Sequence, residues 1–375
     1  MAISLFVTGD VVPKGIQPEE FKKKSERIFG EMKPYIMGSD FCIANLEAPI
    51  VKDKATTIKK SGPCLGVSFS TIEVLKQVGF GVVTLANNHF FDQGQKGVEN
   101  TINTCNESCV ATVGGGKNIN DARKPLLLEK DGKRVAIINA CEQEFSIANT
   151  EHGGSNPLDL INMHEDIVAM RHEADYVVMI LHGGLELYQF PTPRMKRMFR
   201  HFVDLGVDAV INHHQHCING YEVYRNKPIF YGLGNFYFPL AGQLRPASWN
   251  FGFAVRLILG EEIGFEMIPY KQTDNAIILR DKTEFESEME LCNFPINDDF
   301  LLQQKFDGYL IDHEKKIQLS LLPSFMHRFK FDTMVRRGWL GRIYREKDVY
   351  VLKNMFTCES KEESIRRLLE IMVKK

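Results

Sequence analysis

Residues 176–216 read YVVMILHGGLELYQFPTPRMKRMFRHFVDLGVDAVINHHQH, and the order of patterns in them sets the fold class. YVVMIL is an unbroken apolar run, the mark of a strand buried on both faces. After Pro193, residues Met195, Met198, Phe199 and Phe202 fall at i, i+3, i+4 and i+7, one apolar helical stripe, and Gly206 ends it. DAVIN (208–212) then repeats the buried-strand pattern. Strand, helix, strand is the unit of an α/β fold. Outward from here the same run recurs as ISLFVT (3–8), FCIAN (41–45), GVVTLA (81–86), RVAIINA (134–140) and PIFYGL (228–233), with helical stretches between many of them. LLLEKDGKRVAII predicts a hairpin on its Asp-Gly turn. FGFAVRLILG followed by IGFEMIPYK predicts a second hairpin closing the sheet region, so the sheet is expected to be mixed.

The texture changes near residue 275, where charged stretches replace the strand-like runs. Two units are therefore expected, residues 1–275 and a mostly helical extension over 276–375. Near the end, Ser360-Lys-Glu-Glu363 predicts a capping box, with Ile365, Leu368, Leu369 and Met372 at helical spacing behind it. The 375 residues are 44% apolar and 25% charged, ordinary for a globular protein, which excludes disordered and collagen-like classes. Net charge is −2, but residues 301–375 carry 16 Lys and Arg against 10 Asp and Glu, leaving the first 300 at −8. Within the basic part, Arg336, Arg337, Arg342 and Arg345 cluster around Trp339 and Tyr344, either a packed helix and turn or a surface for an anionic polymer. The near-zero overall charge and the lack of a basic-aromatic groove motif argue against a nucleic-acid partner. Eight cysteines without disulfide-like spacing fit reduced, buried thiols and a cytoplasmic setting. No apolar run approaches the ~20 residues of a membrane span.

The polar residues of interest collect at the carboxyl ends of the strands. Asp10 ends the first, Asn45 and Glu47 the second, and Asn87, Asn88 and His89 the third. His182 follows YVVMIL, His213, His214 and His216 follow DAVIN, and Asn235 follows PIFYGLG. Ligands of open α/β sheets bind at this edge. Singly, each has an ordinary explanation: Asp10 as a strand-end cap, Glu47 as a loop carboxylate, Asn88-His89 with Asp92 and Gly94 as turn chemistry. Three imidazoles in four residues are harder to assign to packing. His-x-His on an extended segment presents two nitrogens to one side, which points to metal. Carboxylate, amide oxygen and imidazole without thiolate suit Mn, Fe or Zn rather than Ca. Two metals so held need one bridging carboxylate and make a hydroxide nucleophile near neutral pH.

TGDVV, ANLEAPI, LANNHFFDQG, LHGGLELYQFPTP, INHHQHCINGYEVY and YGLGNFYF resemble, in the same order, the motifs of the CapA-type capsule (poly-γ-glutamate) biosynthesis proteins. The resemblance covers roughly residues 3–240. That family is similar to the calcineurin-like metallophosphatases, which implies a four-layer α/β/β/α sandwich. By position, the resemblance implies metal ligation by Asp10, Glu47 (the bridging acid), Asn88, His182, His214 and His216, with His89 as the catalytic acid. It places His213, Glu222 and Asn235 in the supporting surroundings, where Asn45, Asn87 and Asp92 also fall. Val12 stands where metallophosphatases carry a histidine, and His182-Gly183-Gly184 and Asn212-His213-His214-Gln215-His216 stand where the CapA pattern has H-W-G and G-H-H-P-H.

The expected function is therefore a hydrolase using one or two divalent metals (Mn, Fe or Zn), acting on a phosphoester or amide bond of a phosphorylated or γ-glutamyl substrate in capsule or exopolymer synthesis. The alternative is a non-catalytic assembly component that binds an anionic polymer or a synthesis partner.

Overall fold

The computed structural model describes residues 2–52, 56–239, 245–313, 317 and 345–373. Every apolar run above becomes a strand. In chain order these are β1 (Ile3–Val11), β2 (Phe41–Leu46), β3 (Val82–Thr84), β4 (Ala111–Val113), the two-residue β5 (Gly115–Gly116), β6 (Leu126–Lys130), β7 (Lys133–Cys141) and the two-residue β8 (Gly154–Ser155). They continue as β9 (Tyr176–His182), β10 (Ala209–His213), β11 (Tyr221–Tyr224), β12 (Lys227–Phe230), β13 (Asn235–Tyr237), β14 (Phe251–Leu259), β15 (Ile263–Gln272) and β16 (Ile277–Leu279). One sheet runs β16-β15-β14-β1-β2-β3-β4, with β13 against the end of β1, and the other runs β11-β12-β10-β9-β7-β6. Both sheets are mixed. β1 to β4 are parallel while β14 and β15 form the antiparallel hairpin beside β1. β6 and β7 join through Asp131-Gly132, both at positive φ, as the Asp-Gly turn requires.

Successive residues of a strand point to opposite faces, and here both faces are covered. Leu5, Val7, Ile43 and Val82 of the first sheet meet Val135, Ile137, Val178, Ile180 and Ile211 of the second in one core. Their neighbours Phe6, Cys42, Ala44 and Val83 turn outward against Phe21, Ile28, Leu75 and Val98 of the helices on that side. Ala136, Ile138, Val177, Met179 and Val210 turn the other way against Met163, Ile167, Met195, Phe199 and Phe202. The result is helix, sheet, sheet, helix, the expected four-layer sandwich, and double coverage explains why the strands read as unbroken apolar runs. The helix Pro193–Asp204 is capped by Thr192 and buries Met195, Met198, Phe199 and Phe202 as its spacing predicts.

After β16 the described residues form the helices Lys282–Ile296, Asp299–Asp312, Glu346–Thr357 and Glu359–Val373. The capping-box reading at Ser360 is corrected. The helix starts at Glu359, Ser360 Oγ donates to Glu142 Oε1 at 2.7 Å, and Glu363 Oε1 accepts from the Arg194 backbone N–H at 2.9 Å. Tertiary partners have taken both side chains that would have closed the local cap. Ile365 and Leu368 are buried as expected, whereas Leu369 and Met372 are exposed. Of the basic cluster only Arg345 is described, paired with Asp348; Arg336, Arg337, Trp339, Arg342 and Tyr344 lie outside the described residues. No helix among the described residues is long and apolar enough to cross a membrane.

Candidate metal centre

Ladder register brings the strand ends together. Asp10 pairs with Asn45 across β1–β2 and with Asn235 across β1–β13, and His213 pairs with His182 across β10–β9. The ladder slips between Thr8 and Asp10, a bulge that re-aims the aspartate. Gly9 permits it, since a Cβ there would lie 1.9 Å from the Gly234 carbonyl oxygen.

Two candidate ligand groups result. Asp10, Glu47 and His216 offer atoms within 4.8 Å of one another, and so do Glu47, His182 and His214, with all five residues buried. Glu47 belongs to both. Its Oε1 is 3.5 Å from His182 Nε2 and 3.7 Å from His216 Nε2. His214 Nδ1 lies 3.1 Å from His182 Nε2, and Asn88 Oδ1 lies 3.1 Å from the same nitrogen. Among the described residues, neither carboxylate oxygen of Glu47 has a hydrogen-bond partner. A buried carboxylate left this way is costly unless a cation meets it. Carboxylates, imidazoles and one amide oxygen are a donor set that fits Mn, Fe or Zn.

The imidazoles do not sit on an extended segment, contrary to the His-x-His reading. His214 has φ +96° and His216 φ +56°, so both lie on a tight bend just beyond β10. Such backbone costs of order 1–3 kcal/mol per residue and persists where the surroundings fix it.

Supporting bonds orient the candidate ligands. Asn45 Nδ2 donates to Asp10 Oδ1 at 2.7 Å and lies 3.3 Å from His182 Nδ1, while Thr84 Oγ1 donates to Asn45 Oδ1 at 3.1 Å. Asn87 Nδ2 donates to the Leu46 carbonyl at 2.9 Å, and Asn87 Oδ1 accepts from the His89 N–H, tying the third strand's loop to the second. Asn235 Oδ1 is 2.9 Å from His216 Nδ1. His213 Nδ1 is 3.7 Å from Asp10 Oδ1, and neither ring nitrogen has a hydrogen-bond partner among the described residues. His89 belongs to neither ligand group. Its Nδ1 is 2.6 Å from Asp92 Oδ2, and Asp92 also binds the Lys60 ammonium and the Leu65 N–H. Glu222 is not brought to the cluster. Its carboxylate is taken by Arg200 and by the Tyr231 hydroxyl, because β11 sits at the edge of the second sheet.

Charge follows the same geometry. Burial pushes the Glu47 carboxyl up to about 7, with the His216 charge opposing and the Asp10 charge reinforcing. Burial holds His182 and His213 low, at about 4. Burial would lower His216 too, but the carboxylates of Glu47 and Asp10 outweigh it and push the imidazole up to about 10. Burial would raise Asp10, yet the His216 hydrogen bond and the neighbouring imidazole charges hold it below the usual carboxylate range.

Three contributors escaped the sequence reading. Glu144 accepts from Asn88 Nδ2 at 3.3 Å; it lies just past the end of β7, where the strand-end rule applies as it does to the others. Lys60 meets Asp92 and, at 3.2 Å, His89 Nδ1 from a loop without any pattern. Trp249 packs its ring 4.5 Å from that of His216.

Residues 4–240 match the family described as bacterial capsule synthesis protein PGA_cap. The capsule biosynthesis protein CapA of Bacillus anthracis is 30% identical over 251 residues, covering 63% of this chain and 60% of that protein. The PGA biosynthesis protein CapA of Bacillus subtilis (strain 168) is 28% identical over 240 residues, 63% of each chain. The chain thus spans about 60% of the length of these curated relatives. A solved structure described as a novel phosphatase, from Mycoplasma pneumoniae, aligns over 76% of this chain and 97% of that one, at 16% identity and a TM-score of 0.48. The family match runs from β1 to the strand that carries Asn235, and so across every residue of the ligand cluster: the chain belongs to the bacterial capsule synthesis family PGA_cap.

Proposed function

We propose that this protein is a metal-dependent hydrolase acting on a phosphoester or amide bond in capsule or exopolymer synthesis. The observation that carries this reading is Glu47, buried, without a hydrogen-bond partner on either oxygen among the described residues, and common to two groups of three candidate ligands. Asp10 and His216 would hold one divalent ion, His182 and His214 a second with Asn88 beside them, and Glu47 would bridge. Metal so bound supplies Lewis acidity and a water of lowered pKa. Asn45 and Asn235 orient Asp10, His182 and His216. Asp92 fixes the His89 ring through Nδ1, leaving Nε2 to give a proton to the leaving group.

The test is elemental analysis of the chain purified without chelator, beside His214→Ala. One or two Mn, Fe or Zn per wild-type chain, falling by about one ion in the variant, is the expected result. A screen of phosphoesters and γ-glutamyl amides then follows. Wild type without metal, even after reloading, overturns the reading. An assembly component that binds an anionic polymer or a synthesis partner, drawing on the basic segment 328–345, becomes the reading to pursue in that case.

The charges add a second expectation. Metal-free His216 keeps its proton up to about pH 10, and metal must displace it. Raising the pH removes the competitor, so Mn²⁺ affinity should tighten by about tenfold per pH unit between pH 8 and 9, where Glu47, at about 7, has already lost its proton. Titration calorimetry in buffers of different ionisation enthalpy reads the released proton directly. Affinity independent of pH would contradict the placement of His216 as a ligand.

A further inference from the structure

The helix Glu359–Val373 lies well beyond the family-matched residues, yet it is fastened to the edge that carries the ligands. Ser360 Oγ donates to Glu142 Oε1, the Gln143 N–H donates to Glu359 Oε2 at 2.8 Å, and the Arg194 N–H donates to Glu363 Oε1. These bonds tie the helix's first turns to the loop after β7 and to the start of the helix Pro193–Asp204. One side chain from those turns, Lys361, reaches Glu144, the residue that accepts from Asn88. Lys361, Lys60, Asn88, His89, Glu144 and Glu186 line a cavity of about 190 Å³. It is the space directly beside the amide ligand and the imidazole assigned to proton transfer.

The two lysines there are not equivalent. The Lys60 side chain is almost fully buried, and its ammonium is held by Asp92 and the Asn88 carbonyl. Lys361 lines the cavity with its side chain one-quarter exposed. Glu144 takes one of its three N–H donors, and no other described group takes the remaining two. A cation with spare donors, beside a proton donor and a metal-ligating amide, is placed to receive negative charge.

We propose that the C-terminal helix is a wall of the active site and that Lys361 binds an anionic group of the substrate, a carboxylate or a phosphate, beside Asn88 and His89. The inference deepens the hydrolase reading by naming the residue that selects the substrate's charge. That residue comes from outside the segment shared with the family.

The full chain, metal-free and Mn²⁺-loaded, is titrated with inorganic phosphate and separately with glutarate, which distinguishes the two anions. Wild type is expected to bind at least one of them. Lys361→Ala should weaken that binding by about 10- to 100-fold, the scale of a charge-assisted hydrogen bond. Lys361→Arg should restore most of it. Glu144→Gln should bind at least as tightly as wild type, because a competing carboxylate is gone while an acceptor for Asn88 Nδ2 remains. A helix that only needs Lys361 for docking would show the opposite in Glu144→Gln. Metal content and hydrogen exchange of residues 359–373 are read on the same samples. The proposal is overturned if wild type binds neither anion or if Lys361→Ala binds both within twofold of wild type. It is equally overturned if the loss in Lys361→Ala comes with an exposed helix and no rescue by arginine. Lys361-dependent anion binding in a chain that takes up no metal would sink the hydrolase reading and leave this one standing.

Discussion

Glu47→Gln is expected to empty both ligand groups in one substitution. Every other ligand serves one group, and its loss leaves the second intact; Glu47 serves both. Glutamine matches the shape but cannot supply the negative charge that two divalent ions share. Metal content should fall below a tenth of wild type. If the bound metal contributes several kcal/mol to the transition state, hydrolysis should fall by about 10³-fold or more. Stability separates this from misfolding. A buried carboxyl pushed up to about 7 shows that its charge is disfavoured in the metal-free fold. The variant should therefore melt no lower than metal-free wild type and should gain nothing from added Mn²⁺, while wild type melts higher with metal. Wild-type metal content in Glu47→Gln would remove the bridge from the mechanism.

His89→Ala is expected to do the reverse, keeping the metal and losing the rate. The ring stands outside both ligand groups, and its Nδ1 is committed to Asp92. Truncation leaves Asp92 with the Lys60 ammonium and the Leu65 N–H, so the loop keeps its anchors. Loss of a general acid costs at least ~10²-fold. Substrates whose leaving group needs no proton should lose much less, and comparing p-nitrophenyl with alkyl esters measures that difference. Equal losses on both would assign His89 to loop positioning alone.

The edge that carries the candidate ligands was legible before the fold was known because strand ends are legible. An unbroken apolar run marks a strand, and the residue after it falls at the sheet edge; Asp10, Glu47, Asn88, His182, His214 and His216 all follow from that rule. Which sheet each strand joins was not legible, since a strand buried on both faces carries no alternation to say which core it meets. The layer order came through the family resemblance. Glu144 obeyed the strand-end rule but stood among Glu142 and Gln143 with nothing to separate them. Lys361 lies 217 residues from its partner and could not be paired by any local pattern. Ser360 and Glu363 looked like a cap because spacing reports only local opportunity, and Glu142 and Arg194 offered better bonds from afar. The bend at His214 and His216 was missed because positive φ at histidine leaves no signature in composition.

β1 carries Asp10 and lies between β2 and β14, with Ile3 paired to Leu259. On the ribosome β1 is thus made long before the strand that covers its second edge. At ~5–20 residues per second, its second edge waits roughly 13–50 s for the hairpin that covers it. Through that interval the nascent chain presents an apolar strand with one open edge, a natural substrate for chaperones. The aspartate that begins the site gains its final surroundings only when synthesis has passed the whole of the family-matched segment.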